Sequence, residues 1–524
     1  MATERAMPAP RQVAARDHLW RIAFVVLSIA TVAPLWAGRH LPFLDLPNHL
    51  SAIHIWHYID DPRFDYSKYY ELQRAPLPYW AHYYLVHLLT YLFDVEIANK
   101  IFLSAYALGL PLSALGFARR FGRSPYLALF AFPLVWNFPL SEGFFAYCGG
   151  FALIPIGLVT VDRLAEKPTL ARALLVVLVG VSEYFFHLLT YAAFLIFAGL
   201  VVLAQPKALQ LKRLIWNGTP ILLSAAVGIW AYRHADSMHF HRPRGGGFQP
   251  VIDPILNTLS RTPNALLNLL SSSRDEWVVV VLAITWIVIA STAATAPPGE
   301  ESEGGVRRFI PEICFSVAAL LYVSVPRSIM KPFYWHFIGG RYVVVCALFL
   351  ALTIRGRVVG ARRWLFAPVA LATLFYQGDL FRMVRVFNQH VAGFEELVTE
   401  IPLHKQVLML PLPPLGDPEV NVNAFNQWAS HVQILHGGYN YYNFNEGFPL
   451  RYRTRLMAPP WDHPESFKWD FYAGSYDYFL THNEGVRYSL FEPLAREGKV
   501  VLVRAIGPWK LWRKVEPFAP EKTL

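Results

Sequence analysis

Asp45 lies in the stretch Asp45-Leu46-Pro47-Asn48-His49-Leu50, just beyond the first long apolar run of the chain, Ile22 to Trp36. A carboxylate there, in a loop rich in His, Tyr and Trp, is suited to taking a proton from a hydroxyl. Glu142, Glu183, His187, Arg327, Lys331, His336 and Arg341 fall at the ends of other apolar runs or in the loops between them. Ionisable groups at such positions are costly, so their clustering marks a candidate site. Glu183 and His187 are four residues apart and share a helix face. Arg327, Lys331 and Arg341 are the candidate clamp for a phosphate, with Arg suited to bidentate contact. One base and several cations suffice to move a group from a phosphate to a hydroxyl. Phosphate is already a good leaving group, so the second carboxylic acid of ordinary glycosidases is dispensable. Asp45 is therefore the candidate catalytic residue. His49, Glu142, Glu183, His187, Arg327, Lys331, His336 and Arg341 are the candidate substrate-binding set.

The elements that position these groups are apolar. Of 524 residues, 54% are hydrophobic and 16% charged, against roughly 25% charged in soluble domains. The mean hydropathy is +0.31. Aromatic residues make up 15% of the chain, including 16 Trp and 26 Tyr, as expected of rings at two membrane interfaces. The net charge of +10 is carried mostly by short links between apolar runs, so it does not indicate nucleic acid. Cys148, Cys314 and Cys346 all lie in apolar runs and read as small core residues.

Apolar runs at 22–36, 99–117, 125–140, 144–161, 171–187, 189–204, 214–232, 277–295, 309–325, 341–355 and 364–378 predict about eleven spans. The fold class expected is an α-helical polytopic membrane protein with a small C-terminal α/β extracytoplasmic domain. Its parts are a cytoplasmic tail (1–21), a transmembrane module (22–378) with a first outer loop (38–98), and an extracytoplasmic domain (379–524). Basic residues Arg119, Arg120, Arg123, Arg163, Lys167, Lys212, Arg213, Arg307, Arg308, Arg355, Arg357, Arg362 and Arg363 occupy alternate links. Those links are therefore read as cytoplasmic, with the basic N-terminus, and the candidate site as outer. The stretch from Pro78 to Phe93 reads as an interfacial helix, and residues 296–306 as a cytoplasmic linker. In the tail, 405–410, 476–480 and 499–503 read as strands.

Several residues have a structural alternative. Asp45 could cap a helix beginning near Pro47. His49, His54 and His57 could ligate a divalent metal with Asp45; otherwise the sequence calls for no certain cofactor. Glu183 and His187 could be a polar pair between helices, and Arg327 and Lys331 could snorkel. The stretch Asn421 to Asn445 reads as a turn-rich surface of the tail, with sugar binding as the alternative.

The chain resembles the GT-C superfamily of polytopic glycosyltransferases, close in plan to bacterial protein-mannosyltransferase-like and aminoarabinose-transferase-like members. The matching features are Asp45 in D-L-P-N-H-L, Pro76-Leu77-Pro78-Tyr79-Trp80, Gly339-Gly340-Arg341-Tyr342, and Tyr476-Asp477-Tyr478 with Trp509-Lys510-Leu511-Trp512. The resemblance implies that Asp45 is the catalytic or metal-binding acid. It implies an inner-membrane enzyme of the cell envelope, moving a sugar from a polyprenyl-phosphate donor to a glycan, lipid or protein acceptor. The D-x-D pair of some members is missing; Asp60-Asp61 is adjacent and precedes Pro62. Two other functions fit the composition. A transporter or flippase for lipid-linked sugars would need polar groups at mid-membrane. An O-antigen-type polymerase or ligase would use a late basic loop such as 233–276, with Arg233, His234, His239, His241, Arg242 and Arg244.

Overall fold

A computed structural model describes residues 18–73, 76–206, 208–234, 247–292, 305–331, 334–356, 360–443 and 449–515. Most of the expected cytoplasmic tail and linker, and His239, His241, Arg242 and Arg244, lie outside the described residues.

The described chain is mostly helical. In order, the helices that build the bundle and one end of it are α1 (His18–Val32), α2 (Leu46–His57), α3 (Trp80–Leu89), α4 (Val95–Arg120), α5 (Phe145–Glu166), α6 (Leu170–Phe186), α7 (Leu188–Leu203), α8 (Leu211–His234), α9 (Arg274–Thr292), α10 (Ile310–Ser324), α11 (Tyr342–Ala351) and α12 (Ala367–His390). Five segments are long and apolar enough to cross a bilayer: His18–Trp36, α4, α5, α8 and α9. Local chemistry sets α4: Asp94 caps it by accepting the Ile97 N–H at 2.9 Å, Glu96 sits in the first turn, and Arg119 and Arg120 in the last. The most buried of the five is α5, which packs on α4, α6 and α7.

Residues 125–140 correct the expectation of a helical span. They form two 3-10 turns, Pro125–Ala131 and Pro133–Val135, then a short helix, Phe138–Ser141. Pro125, Pro133 and Pro139 each lack an N–H, so a continuous α-ladder cannot form. Irregular backbone at this depth is tolerated only when buried in protein, and Tyr126 through Trp136 are buried. Trp136 donates to Thr31 O at 2.9 Å, and Tyr376 donates to Trp136 O at 2.8 Å.

The links rich in Arg meet at one end of the bundle. Fully buried Asp162 accepts Arg120, Arg307 (2.7 Å) and Gln205 (2.9 Å), while Glu312 pairs with Arg123 (2.7 Å) and Arg355 (2.6 Å). Glu142 lies at the opposite end of α5 from Asp162, about 25 Å away by helix rise. Replacing Asp162 with Ala strands two cations. We expect a loss of about 3–5 kcal/mol, read as a lower melting temperature in detergent, with little change in the function of the protein that remains folded.

A four-stranded sheet forms the tail. Its strands are β4 (Val407–Pro411), β6 (Tyr478–His482), β7 (Val500–Ile506) and β8 (Trp509–Lys514), in the order β4-β6-β8-β7. Only the β4–β6 pairing is parallel. Strands β4, β6 and β7 fall on the three stretches read as strands. Two small ribbons, β1 (Tyr70–Leu72) with β5 (Leu450–Tyr452) and β2 (Gln249–Val251) with β3 (Ser328–Lys331), tie loops together. The domain boundary expected at 379 is corrected: α12 runs through Asp379 without a break. The stretch 421–443 is also not a free surface. Trp428, Ser430, His431, Gln433, Asn440 and Asn443 are buried. The helix α13 (Ser430–His436) packs on α2, so the tail is seated on the first loop.

Candidate functional site

The first loop brings Asp45 onto the turn that follows the short helix Phe138–Ser141. Leu44 N–H donates to Ser141 O at 2.9 Å and Asp45 N–H to Glu142 O at 3.2 Å. Gly143, at φ +92°, permits this approach; a Cβ there would lie 2.7 Å from Asp45 Cβ. Two carboxyl groups from distant segments are thus held side by side.

Asp45 precedes α2 but does not cap it: its side chain makes no capping hydrogen bond. The carboxylate instead accepts Gln427 Nε2 at 2.7 Å. Gln427 in turn accepts Asn48 Nδ2. Asn48 Oδ1 accepts Ser430 Oγ at 2.8 Å, and Ser430 Oγ accepts Asn440 Nδ2 at 2.8 Å. A polar chain from the tail therefore fixes the acid from behind. Burial pushes the Asp45 carboxyl up to about 7, against the opposing Gln427 hydrogen bond and the Arg341 charge. Burial also lifts Glu142 to about 7, with the Asp45 charge adding and Arg341 opposing. Both side chains remain partly accessible. A carboxyl poised near neutrality is matched to general acid–base work.

Arg341 completes the group. It is 6% exposed and makes no ion pair among the described residues, although Asp45 and Glu142 both act on its charge. Its guanidinium lies over the Phe144 ring at 3.7 Å, and Nη2 donates to His336 O at 3.3 Å. Nη1 lies 2.8 Å from His187 Nε2, while His187 Nδ1 accepts the Leu189 N–H at 3.0 Å. A neutral imidazole has only one acceptor nitrogen, so it cannot fully serve both donors. The Nε of Arg341 has no partner among the described residues. A buried cation this poorly matched has donors free to receive an anion.

The remaining candidates separate. Glu183 is fully buried at the end of α6, against Gly150 and Thr190. It is a neighbour of His187 in sequence but is not bonded to Arg341. Arg327 and His336 line a cavity of about 440 Å³ with Phe138, Asp253, Tyr322 and Gly340. Arg327 approaches Asp253 at 3.6 Å, and His336 Nδ1 lies 2.8 Å from Ser328 Oγ. Lys331 stands apart from these groups: it ends β3 opposite Gln249 and is not among the residues lining the cavity. His49 lies beside the same turn as Asp45, in hydrogen-bond contact with the Gly143 backbone. It packs among His82, Tyr83 and Phe145, with Nδ1 2.6 Å from Tyr83 OH, and burial and His82 hold it well below its usual range. The metal set of Asp45, His49, His54 and His57 does not converge. His54 faces Tyr66 OH at 2.9 Å and His57 faces Thr90 Oγ1 at 3.1 Å.

Three further residues of this group are not singled out by the sequence, although Tyr79 lies in the Pro76–Trp80 motif and Gln427 and Tyr442 in the stretch 421–445. Tyr79 begins α3 at φ +74° and sets its ring 4.7 Å from that of His187. Burial holds its phenol up at about 12, opposed by Arg341. An αL tyrosine is strained backbone of the kind found at functional sites. Gln427 lies 382 residues from Asp45. Tyr442 feels the Asp45 charge and stacks on Trp461, with centroids 4.3 Å apart and planes at 14°.

No protein-family model and no curated protein matches the chain. Among solved structures, ArnT from Cupriavidus metallidurans is similar, both bound to undecaprenyl phosphate and in the apo state. Each has a TM-score of 0.52 at 10% identity, covering 95% of this chain and 98% of that one. At this identity the likeness is one of overall fold, over nearly the whole of both chains.

Proposed function

We propose that the protein is a membrane glycosyltransferase that moves a sugar from a polyprenyl phosphate to an acceptor hydroxyl at the outer face. The observation that carries this reading is the triplet of Asp45, Glu142 and Arg341: two carboxyls held near neutrality beside a buried cation without an ion pair. In this reading Arg341 binds the donor phosphate, and the neighbouring cavity with Arg327 and His336 takes the adjoining part of the lipid. Asp45 removes the acceptor proton as the acceptor oxygen attacks the sugar C1. The C1–O bond to phosphate breaks with both electrons leaving on the polyprenyl phosphate. Glu142 sits beside this base, and burial together with the Asp45 charge holds its own carboxyl up at about 7. The likeness to a structure bound to undecaprenyl phosphate supports a lipid phosphate as the partner. A transporter is less well supported, because the polar groups gather at one end and not along a mid-membrane path.

Tyr442, within reach of the Asp45 charge, stacks on Trp461, and in this reading the pair offers a flat apolar surface to a sugar ring. Trp461→Ala is expected to raise KM for the sugar-bearing substrate by about 10-fold, the scale of losing about 1.4 kcal/mol of contact, with a smaller effect on kcat. Steady-state kinetics check this. The function itself is tested by incubating the purified protein with a panel of polyprenyl-phosphate sugars and following polyprenyl phosphate release. Release from at least one donor, dependent on acceptor, is expected; no release from any donor, with the protein folded, contradicts the reading.

A further inference from the structure

The chain carries a second convergence of ligating side chains, outside the Asp45 group. His40 follows the first span, Glu96 opens α4, and His431 lies on α13 of the tail. All three are buried, and one ligand atom from each lies within 4.8 Å of the others. His40 Nδ1 is 3.3 Å from Glu96 Oε1, and His431 Nδ1 is 3.9 Å from the same oxygen. A tetrahedral zinc with bonds near 2.0–2.1 Å separates its ligand atoms by about 3.4 Å. The first spacing already meets this, and the second needs a closing of about half an ångström.

We propose that His40, Glu96 and His431 form a structural site for a divalent transition metal, zinc by preference, that fastens the tail to the membrane module. The surroundings orient each ligand. His40 Nε2 donates to Glu395 Oε1 at 3.0 Å, which leaves the Nδ1 lone pair turned toward Glu96. The His40 backbone is bracketed by Asn388, through His40 N to Oδ1 at 2.9 Å and Nδ2 to His40 O at 2.8 Å. Arg39 Nε holds Glu96 Oε2 at 2.7 Å, so Oε1 faces the histidines. The Trp428 ring lies 4.4 Å from that of His431.

Two observations favour an ion over a plain polar cluster. Buried His40 Nδ1 has only a long approach to Glu96 Oε1, at 3.3 Å and without good hydrogen-bond geometry, a poor match that ligation of His40 would replace. A cavity of about 10 Å³ beside the triad, lined in part by Asn99 and Lys100, is on the scale of the single water that would complete four-coordination. Arg39 and Lys100 are matched in charge by Glu96 and Glu395, so the pocket offers little net negative charge. Binding then depends on imidazole ligation, which selects a borderline transition ion over magnesium or calcium.

The site does not depend on the transferase reading. Tag-free full-length protein, incubated with zinc and dialysed, is expected to hold about one zinc per chain, and stripping it with a chelator lowers the melting temperature. His431→Ala and Glu96→Gln lose the zinc and the chelator sensitivity, whereas Asp45→Asn keeps both. Cobalt loaded into the wild type is expected to show the strong visible bands of a four-coordinate site, a readout that stands even if a variant fails to fold. Absence of zinc and of the cobalt bands in folded wild type overturns the proposal. So does wild-type zinc content in folded His431→Ala.

Discussion

Asp45→Asn is expected to slow sugar transfer by about 10²–10⁴-fold, the range for losing a positioned general base. Asparagine keeps the size and can still accept Gln427 Nε2, so the polar chain to Asn48, Ser430 and Asn440 survives. What is lost is the ability to take a proton. The same substitution is expected to raise stability at alkaline pH. Folding lifts the Asp45 pKa from 3.8 to about 7, so across that window the folded state holds a proton that the unfolded state has released. Stability therefore falls as pH rises through the window, and asparagine removes this dependence. A thermal melt at pH 8 checks it: the variant should melt at or above the wild type. A dead and destabilised variant would mean that the carboxylate holds the loop and performs no chemistry.

Arg341→Ala carries the second large effect. If Arg341 holds the donor phosphate, its loss removes charge-assisted hydrogen bonds worth about 1.5–3 kcal/mol, equivalent to about 10–150-fold in donor affinity. The acceptor should bind almost as before. Arg341→Lys is expected to recover only part of the affinity, because an ammonium cannot make the planar two-point contact. Titration with a polyprenyl phosphate, followed by intrinsic fluorescence of the folded protein, separates the outcomes. Unchanged donor affinity in Arg341→Ala would remove it from the clamp and direct attention to Arg327 on the cavity wall.

The sequence made the acid and the cation legible for a physical reason: both are charges that a largely apolar chain carries at the edge of apolar runs. Hydropathy located the long helices but misread 125–140, because it does not register that Pro125, Pro133 and Pro139 break a helical ladder. Asp45 could also be read as a helix cap, and only its coordinates, turned toward Gln427, remove that alternative. Gln427, Tyr442 and Trp461 were hidden because polar and aromatic residues in a turn-rich tail look like surface. The burial of Gln427 against Asp45 and Asn48 is a long-range event that leaves no local pattern. Lys331 is near Arg341 in sequence, yet it ends β3 in the β2–β3 ribbon and is not among the residues lining the cavity. The histidines of α2 suggested metal through spacing on one helix, yet they turn to Tyr83, Tyr66 and Thr90. The converging set, His40, Glu96 and His431, comes from three separate segments.

The most direct measurement is the pH dependence of single-turnover polyprenyl phosphate release, with donor saturating, in wild type and Asp45→Asn. With Asp45 as the base, the wild-type rate rises with pH and levels off above about 7, since only the ionised carboxylate accepts the proton. The residual rate of the variant lacks that limb. Glu142→Gln should retain the limb, because the titrating base is Asp45. A limb that persists unchanged in Asp45→Asn, or near-normal turnover in that variant, would contradict the central claim.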